Sequence, residues 1–209
     1  AGMGLGKTPV VETFLEALYL GGESQPTLVL GPLRVARSVW SNEVRKWEHL
    51  RGLNVVPIIG AEKDRLTALR MDAQVYTTNY ENLVWLLDHF GDRWPFRTVI
   101  ADESDYIKGH RISARTAKKK DGTPGKTFLS GQGAKRAGAL AMIAHTKIKR
   151  FVELTGTPAP NGLVDLWGQL WYLDRGARLG RNFDAFKKRW FRASYDGYGS
   201  EPIDSAADQ

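Results

Sequence analysis

Short apolar segments alternate with longer segments whose apolar residues recur every three or four positions along most of the chain. The short segments are bounded by Gly, Pro or polar residues, which is typical of buried strands in a parallel sheet. The predicted strands are Thr27–Leu30, Val55–Ile59, Ala73–Thr78, Thr98–Ala101 and Phe151–Leu154. Pro57 lacks an amide hydrogen for the ladder, so the second of these strands is expected at an edge or in an irregular position.

The first helical pattern consists of Val11, Phe14, Leu15 and Leu18, and Gly21-Gly22 ends it. Similar patterns predict helices over residues 35–47, 64–70, 83–90, 137–144, 163–173 and 182–191. Strands that alternate with helices favour the α/β class, an open and mostly parallel central sheet with helices on both faces. The Gly-, Ser- and Asp-rich residues 193–209 are expected to form a tail that is ordered only by a partner.

Composition narrows the possible functions. The 209 residues are enough for one domain with a substantial core, and they contain no cysteine for disulfides or thiolate metal sites. No apolar run approaches the roughly 20 residues that span a bilayer, so we expect no membrane partner and a cytoplasmic location. The net charge of +7 indicates a polyanionic partner, and eight Lys/Arg against one acid between Gly109 and Ala137 account for all of the excess.

The first eight residues carry the clearest candidate chemistry. They fit the phosphate-binding loop pattern, in which glycines let backbone N–H groups converge on a phosphate at the start of a helix. Lys7 would reach the β- and γ-phosphates of a nucleotide, and the Thr8 hydroxyl would bind Mg²⁺. The residues predicted to bind the nucleotide are Gly2, Met3, Gly4, Leu5, Gly6, Lys7 and Thr8. A strand normally precedes this loop; because the pattern begins at residue 1, we expect the chain to be a fragment.

Two further polar segments directly follow predicted strands. Asp102 and Glu103 come after Thr98–Ala101, where one acid could hold Mg²⁺ through water and the other could orient or deprotonate an attacking water. A hydroxyl-rich turn, Thr155-Gly156-Thr157, follows Phe151–Leu154. Ligands of open α/β sheets lie beyond the carboxyl ends of the strands, so these segments and the glycine loop are expected at one edge of the sheet.

Taken in order, GMGLGKT, LVLGPLRVARSVWSNEVRKW, VIADESDYIKG and ELTGTPAPNGLVDLWGQLWYLD resemble motifs I, Ia, II and III of Swi/Snf-type ATPases of helicase superfamily two, most closely the phage and bacterial members. The likeness covers residues 1 to about 192. It implies the first RecA-like lobe of a P-loop NTPase, three-layered α/β/α, that uses ATP and Mg²⁺ and moves along double-stranded DNA. It also implies a second RecA-like lobe, supplied by the rest of the protein or by another chain, whose arginine fingers complete the site.

The resemblance assigns roles to particular residues. Lys7, Asp102 and Glu103 would be catalytic, and Thr8 and Asp102 would hold Mg²⁺. Thr155, Gly156 and Thr157 match the motif that couples ATP to DNA, and Pro32 and Arg34 match a segment near the DNA backbone. Asp165 and Trp167 lie after motif III, where they are expected to pack rather than to bind DNA.

The basic segment 109–137 is open to two interpretations. One is a solvated, disordered loop inserted after motif II. The other is an arm that contacts DNA phosphates, for which the candidate residues are Arg111, Lys118, Lys119 and Lys120.

Three functions remain possible at this point. The first is the ATP-binding lobe of a double-stranded DNA translocase. The second is a lobe of a helicase that separates DNA or RNA strands. The third is a catalytically silent module that binds nucleotide or DNA.

Overall fold

The computed structural model describes residues 5–118, 124–132, 135–195 and 199–203. Its strands are β1 Thr27–Gly31, β2 Val55–Pro57, β3 Val75–Asn79, β4 Thr98–Asp102, β5 Arg111–Lys118, β6 Pro124–Gln132, β7 Arg150–Leu154, β8 Phe191–Ala193 and β9 Ser200–Pro202. Within the described residues, five of these form one parallel sheet in the order β2-β3-β1-β4-β7. The predicted edge position of the proline-containing strand β2 is confirmed.

The helices cover both faces of this sheet. They are α1 Lys7–Leu20, α2 Trp40–Val44, α3 Glu62–Leu69, α4 Leu83–Phe90, α5 Lys135–Ala144, α6 Leu166–Asp174 and α7 Phe183–Trp190. The predicted second helix begins with a π-helical turn, Val35–Val39, before α2. Short π-helical segments are often found at functional sites, and this one begins four residues after the end of β1.

Alternation along the central strands creates two separate cores. In β1, Leu28 and Leu30 belong to one buried cluster, whereas Val29 between them belongs to the other. Successive side chains of a strand point to opposite faces, so the sheet is buried on both sides. Helices α1 and α2 contribute to the Val29 cluster, and α3 to α7 contribute to the other. The predicted three-layer RecA-like arrangement is confirmed.

The interpretation of the basic segment as a disordered loop is wrong for β5 and β6, and residues 119–123 and 133–134 of the segment lie outside the described residues. β5 and β6 pair antiparallel, with Arg111 opposite Gln132 and an irregularity between Thr116 and Lys118. The basic residues and glycines of this segment give no clear apolar alternation from which the two strands could be predicted. The described part of the tail also differs from expectation: β8 pairs with β9 in a short antiparallel hairpin, whereas residues 196–198 and 204–209 lie outside the described residues.

Helix α6 packs very closely against the chain that follows β4. A Cβ atom on Gly168 would lie 2.1 Å from the Lys108 carbonyl oxygen and 2.8 Å from that of His110. Only glycine permits such a close approach of two backbones. The Ser104 hydroxyl also donates a hydrogen bond to the Gln169 side chain at 2.9 Å. Helix α6 therefore fixes the segment that carries the acidic pair.

Candidate nucleotide-binding site

The glycine loop enters α1 through a backbone conformation that favours glycine. Gly6 has φ 69° and ψ 29°, in the left-handed region, and α1 begins at the next residue, Lys7. The first turn of α1 therefore presents backbone N–H groups and the positive end of the helix dipole at Lys7 and Thr8. Of the predicted loop residues, Gly2, Met3 and Gly4 lie outside the described residues, and Leu5 is exposed.

The loop and the acidic pair border one cleft of about 360 Å³, which we call the Lys7 cleft. Its walls also include Val35 and Val39 of the π-helical turn. The positive charge of Lys7 lowers the pKa of both Asp102 and Glu103, against the larger effect of their burial. The structure therefore brings the described residues of motif I, Leu5 to Thr8, together with the acidic pair of motif II.

Asp102 ends β4 in a nearly buried position, with 7% of its surface exposed. Trp40 Nε1 donates a hydrogen bond to Asp102 Oδ2 at 3.0 Å, and the Glu103 amide donates one to Oδ1 at 3.1 Å. Burial raises the pKa of Asp102, and these two bonds and Lys7 oppose that rise. The carboxylate is held in one orientation at the wall of the cleft, and a cation beside it would offset the cost of burying its charge.

Glu103 has an unusual backbone. Its φ of 56° and ψ of 59° lie in the left-handed region, which is uncommon for residues other than glycine. Strained backbone of this kind clusters at functional sites. Burial raises the pKa of the Glu103 carboxyl, followed by the negative charges of Asp102 and Asp105, whereas Lys7 and a hydrogen bond from the Gly156 amide lower it.

The hydroxyl-rich turn lies beside this carboxylate because β7 is the parallel neighbour of β4. The register places Asp102 opposite Leu154, so the two strands end together. Thr155 and Gly156 line a second cavity of about 610 Å³, the Thr155 cavity, and Lys7 lines both cavities. Lys7, Asp102 and Thr155 thus meet at one edge of the sheet.

The turn has a defined geometry of its own. The Thr157 amide donates a hydrogen bond to Thr155 Oγ1 at 3.0 Å, which is a typical Thr turn. Gly156 lies between the two threonines, with its amide directed at the Glu103 carboxylate. Of the three residues of the predicted coupling motif, Gly156 therefore interacts with Glu103 of the acidic pair.

Pro32 and Arg34 follow the neighbouring strand β1 at the same edge. A Cβ atom on Gly31 would lie 3.7 Å from Asp102 Cβ, so this segment starts next to the acidic pair. Arg34 is exposed and immediately precedes the π-helical turn. Its predicted role near a DNA backbone remains a prediction.

Arg111 does not fit the predicted role of a phosphate contact, because its guanidinium is directed inward. Nη1 donates hydrogen bonds to the carbonyl oxygens of Lys108 and His110, the latter at 2.8 Å. The guanidinium lies 4.4 Å from the Phe183 ring centre, and Nη2 is 4.0 Å from Asp165. Arg111 therefore joins the start of β5 to α6 and α7. Lys118 ends β5, and Lys119 and Lys120 lie outside the described residues.

Asp165 and Trp167 pack as predicted. Asp165 is buried, accepts a hydrogen bond from the Asn161 amide at 3.1 Å and lies 3.7 Å from Lys108 Nζ. Trp167 is fully buried.

The sequence prediction did not identify two acids whose carboxylate oxygens are buried without a hydrogen-bond partner. Neither carboxylate oxygen of Glu12 has a hydrogen-bond partner among the described residues, nor has Glu153 Oε1. Burial raises the pKa of each to about 8. Glu12 interrupts the apolar face of α1 and Glu153 interrupts the apolar strand β7, so each was visible in the sequence as a break in the pattern.

Two other kinds of site are absent from the described residues. They contain no group of three or more His, Cys, Asp or Glu placed to hold a metal ion. None of their helices has both the length and the apolar character needed to cross a membrane.

Comparison with known proteins places this geometry in a family. The SNF2-related domain matches residues 2–137. Putative protein p41 of Acyrthosiphon pisum secondary endosymbiont phage 1 is 53% identical over 194 residues, which cover 92% of this chain and 38% of that protein. The ATP-dependent DNA helicase DDM1 of Arabidopsis thaliana is 27% identical over 176 residues, which cover 80% of this chain and 19% of that protein.

The fold has a solved counterpart. The Sulfolobus solfataricus SWI2/SNF2 ATPase core in complex with dsDNA aligns with a TM-score of 0.62 and 24% identity, over 90% of this chain and 33% of that one. The chain thus spans well under half the length of these proteins. Since the family match covers more than half of the chain, the protein belongs to the SNF2-related domain family and has its RecA-like fold.

Proposed function

We propose that this chain is the ATP-binding lobe of a DNA-dependent ATPase that moves along double-stranded DNA. The observation that carries the proposal is the meeting of Lys7, the acidic pair and the Thr155 turn at one edge of the sheet. Family membership supports it, as do a relative named a DNA helicase and a structural counterpart in complex with dsDNA.

In this proposal Lys7 and the backbone N–H groups at the start of α1 bind the nucleotide phosphates. The Thr8 hydroxyl and the Asp102 carboxylate would hold Mg²⁺, and both are the oxygen donors that this ion prefers. When bound, Mg²⁺ would neutralise charge on the β- and γ-phosphates. Trp40 keeps Asp102 in one orientation, so the position of this donor is fixed before nucleotide arrives.

Glu103 would accept the proton of the attacking water. A base must be ionised to do so, and burial has raised the pKa of this carboxyl, which suits it to accept a proton. The hydrogen bond from the Gly156 amide opposes that rise. Movement of the Thr155 turn when DNA binds would therefore change the basicity of Glu103, which is how the coupling motif would act.

Hydrolysis would also need groups from a second lobe. We propose that a second RecA-like lobe supplies an arginine to the Lys7 cleft, a contribution worth about 10³–10⁵ in rate in comparable enzymes. The chain spans 38% of the phage relative and 33% of the Sulfolobus core, which leaves length for such a lobe. Alone, the chain should bind ATP and hydrolyse it poorly.

The first experiment tests the nucleotide site in this chain. Lys7→Ala should abolish binding of a fluorescent ATP analogue in the presence of Mg²⁺, while circular dichroism shows an intact fold. Lys63→Ala is the matched control, because Lys63 is exposed on α3 and lines neither the Lys7 cleft nor the Thr155 cavity. Equal affinity of Lys7→Ala and wild type would refute the assignment.

The second experiment uses the full protein with both lobes. Glu103→Gln should bind ATP and fail to turn it over, whereas wild type should displace a triplex-forming strand without separating the duplex. Separation of the duplex would favour a helicase. An absence of DNA-stimulated ATP turnover in wild type would favour a silent binding module.

A further inference from the structure

We propose that a cleft between α6 and α7 is a second contact site for the phosphate backbone of double-stranded DNA. The cleft, about 860 Å³, is lined by Arg175, Arg181 and Arg189 together with Asp174, Trp171 and Ile112, and we call it the arginine cleft. It shares no lining residue with the Lys7 cleft or the Thr155 cavity. The proposal rests on the proposed function only in taking double-stranded DNA as the polymer.

The turn that forms the cleft is rigidly constructed. Gly176 has φ 80°, and a Cβ atom there would lie 2.3 Å from the Gly180 carbonyl oxygen. Gly180 has φ 119°, and its carbonyl oxygen accepts a hydrogen bond from Trp167 Nε1 at 2.9 Å. Arg175, which precedes Gly176, also has a backbone in the left-handed region, with φ 57°. Positive φ thus recurs at three of the six residues from Arg175 to Gly180, and at Arg175 it is costly unless the surroundings fix it, so the arginines project from a defined frame.

The carboxylate of Asp174, which lines the cleft, already accepts several hydrogen bonds. Asp174 accepts hydrogen bonds from the amides of Gly176, Ala177 and Arg178 at 2.8, 3.1 and 3.1 Å. Arg178 Nε also lies 3.6 Å from its carboxylate. Most of the hydrogen-bonding capacity of this acid is therefore used within the turn, and its ion-pair partner is Arg178 rather than one of the three arginines that line the cleft.

The three arginines that line the cleft are free to meet an anion. All three are exposed, and within the part of the chain that the structure describes no carboxylate lies within ion-pairing distance of them. The Arg189 guanidinium lies 4.9 Å from the ring centre of Trp190, which leaves its outer edge available. Arginine presents a planar set of donors that matches phosphate oxygens, so a phosphate fits this cleft better than a carbonyl or an amine.

The spread of charge favours a polymer over a small phosphate. Residues 174–192 contain seven Lys/Arg against two acids, and Lys187 and Lys188 continue the positive charge along α7 beyond the cleft. Ile112, at the start of the β5–β6 hairpin, forms part of the wall, so the cleft adjoins the basic segment of the chain. A single phosphate group would contact only the arginines of the cleft, whereas a DNA backbone would contact these arginines and the lysines of α7 as well.

The test compares two variants that lose the same charge. Arg181→Ala with Arg189→Ala removes two arginines of the cleft, and Arg70→Ala with Arg93→Ala removes two exposed arginines elsewhere. Duplex DNA binding is measured by fluorescence anisotropy over a series of salt concentrations. The slope of log K against log salt should fall by about 0.9 per lost phosphate contact, so by about 2 in the cleft variant and by much less in the control.

Other outcomes separate this proposal from the proposed function. The cleft variant should bind the ATP analogue as wild type does. Equal slopes in the two variants would overturn the second DNA site, even if Lys7→Ala behaves as expected. Inorganic phosphate that stabilises wild type but not the cleft variant, with DNA slopes unchanged, would overturn it in favour of a small-anion site. Failure of ATP binding in wild type, with the slope difference present, would refute the proposed function alone.

Discussion

Replacing Glu12 by Gln should stabilise the protein, and the gain should grow with pH. Glu12 is fully buried on α1, and neither of its carboxylate oxygens has a hydrogen-bond partner among the described residues. Burial raises its pKa from 4.5 to about 8, helped by the negative charge of Glu43 and opposed by Lys46. Gln resembles the protonated acid in size and polarity, and it cannot ionise.

The magnitude follows from proton linkage. Below pH 4.5 both the folded and the unfolded chain hold the proton on Glu12, and there is no penalty. Between pH 4.5 and 8 the unfolded chain releases it while the folded chain keeps it, so stability falls as the pH rises. At about 1.4 kcal/mol per pKa unit, the penalty is about 1 kcal/mol at pH 5.5, about 3 kcal/mol at pH 7 and about 5 kcal/mol above pH 8.

The assay is thermal unfolding of wild type and Glu12→Gln at pH 5.5, 7.0 and 8.5. For a domain of this size about 1 kcal/mol corresponds to roughly 2–4 °C in Tm, so the variant should gain several degrees at pH 7 and more at pH 8.5. Glu16→Gln is the matched control, because Glu16 lies one turn further along α1 and is partly exposed. A gain that does not change with pH, or a loss of stability at pH 8.5, would refute the reasoning.

Three further predictions concern Trp40, Gly168 and Arg111. Trp40→Phe removes the hydrogen bond to Asp102 and should weaken Mg²⁺-dependent binding of an ATP analogue by about 1.5–3 kcal/mol, measured by titration with and without Mg²⁺. Gly168→Ala should destabilise the fold by more than about 3 kcal/mol in denaturant unfolding, because its Cβ would overlap the Lys108 carbonyl. Arg111→Ala should lower Tm yet leave the salt dependence of DNA binding unchanged, whereas a reduced slope would restore its role as a phosphate contact.

The positions of those site residues that directly follow parallel strands could be predicted from the sequence. Asp102 and Thr155 each follow an apolar run, and adjacent parallel strands end at the same edge. That rule needs no knowledge of side-chain contacts. The layered fold followed in the same way, since runs such as Thr27–Leu30 must be buried on both faces.

The features that sequence reasoning missed depend on contacts between distant residues. Trp40 and Asp102 are 62 positions apart, and nothing in either segment indicates their hydrogen bond. The inward direction of Arg111 depends on Phe183 and Asp165, which later helices supply. The β5–β6 hairpin escaped prediction because its basic residues and glycines resemble those of a solvated loop.

The register between β4 and β7 has a mechanical consequence. Asp102 lies opposite Leu154, so the proposed base Glu103 and the Thr155 turn, for which we propose the coupling role, each begin one residue beyond the same pair of the ladder. If the proposed roles hold, a displacement of the turn by a fraction of an ångström would change the surroundings of the Glu103 carboxylate directly, because no other element lies between the ends of the two strands. The coupling between the ATP site and DNA would then be as rigid as the sheet itself. Inserting a single residue after Leu154 should uncouple ATP hydrolysis from DNA binding while ATP binding and DNA binding are each retained.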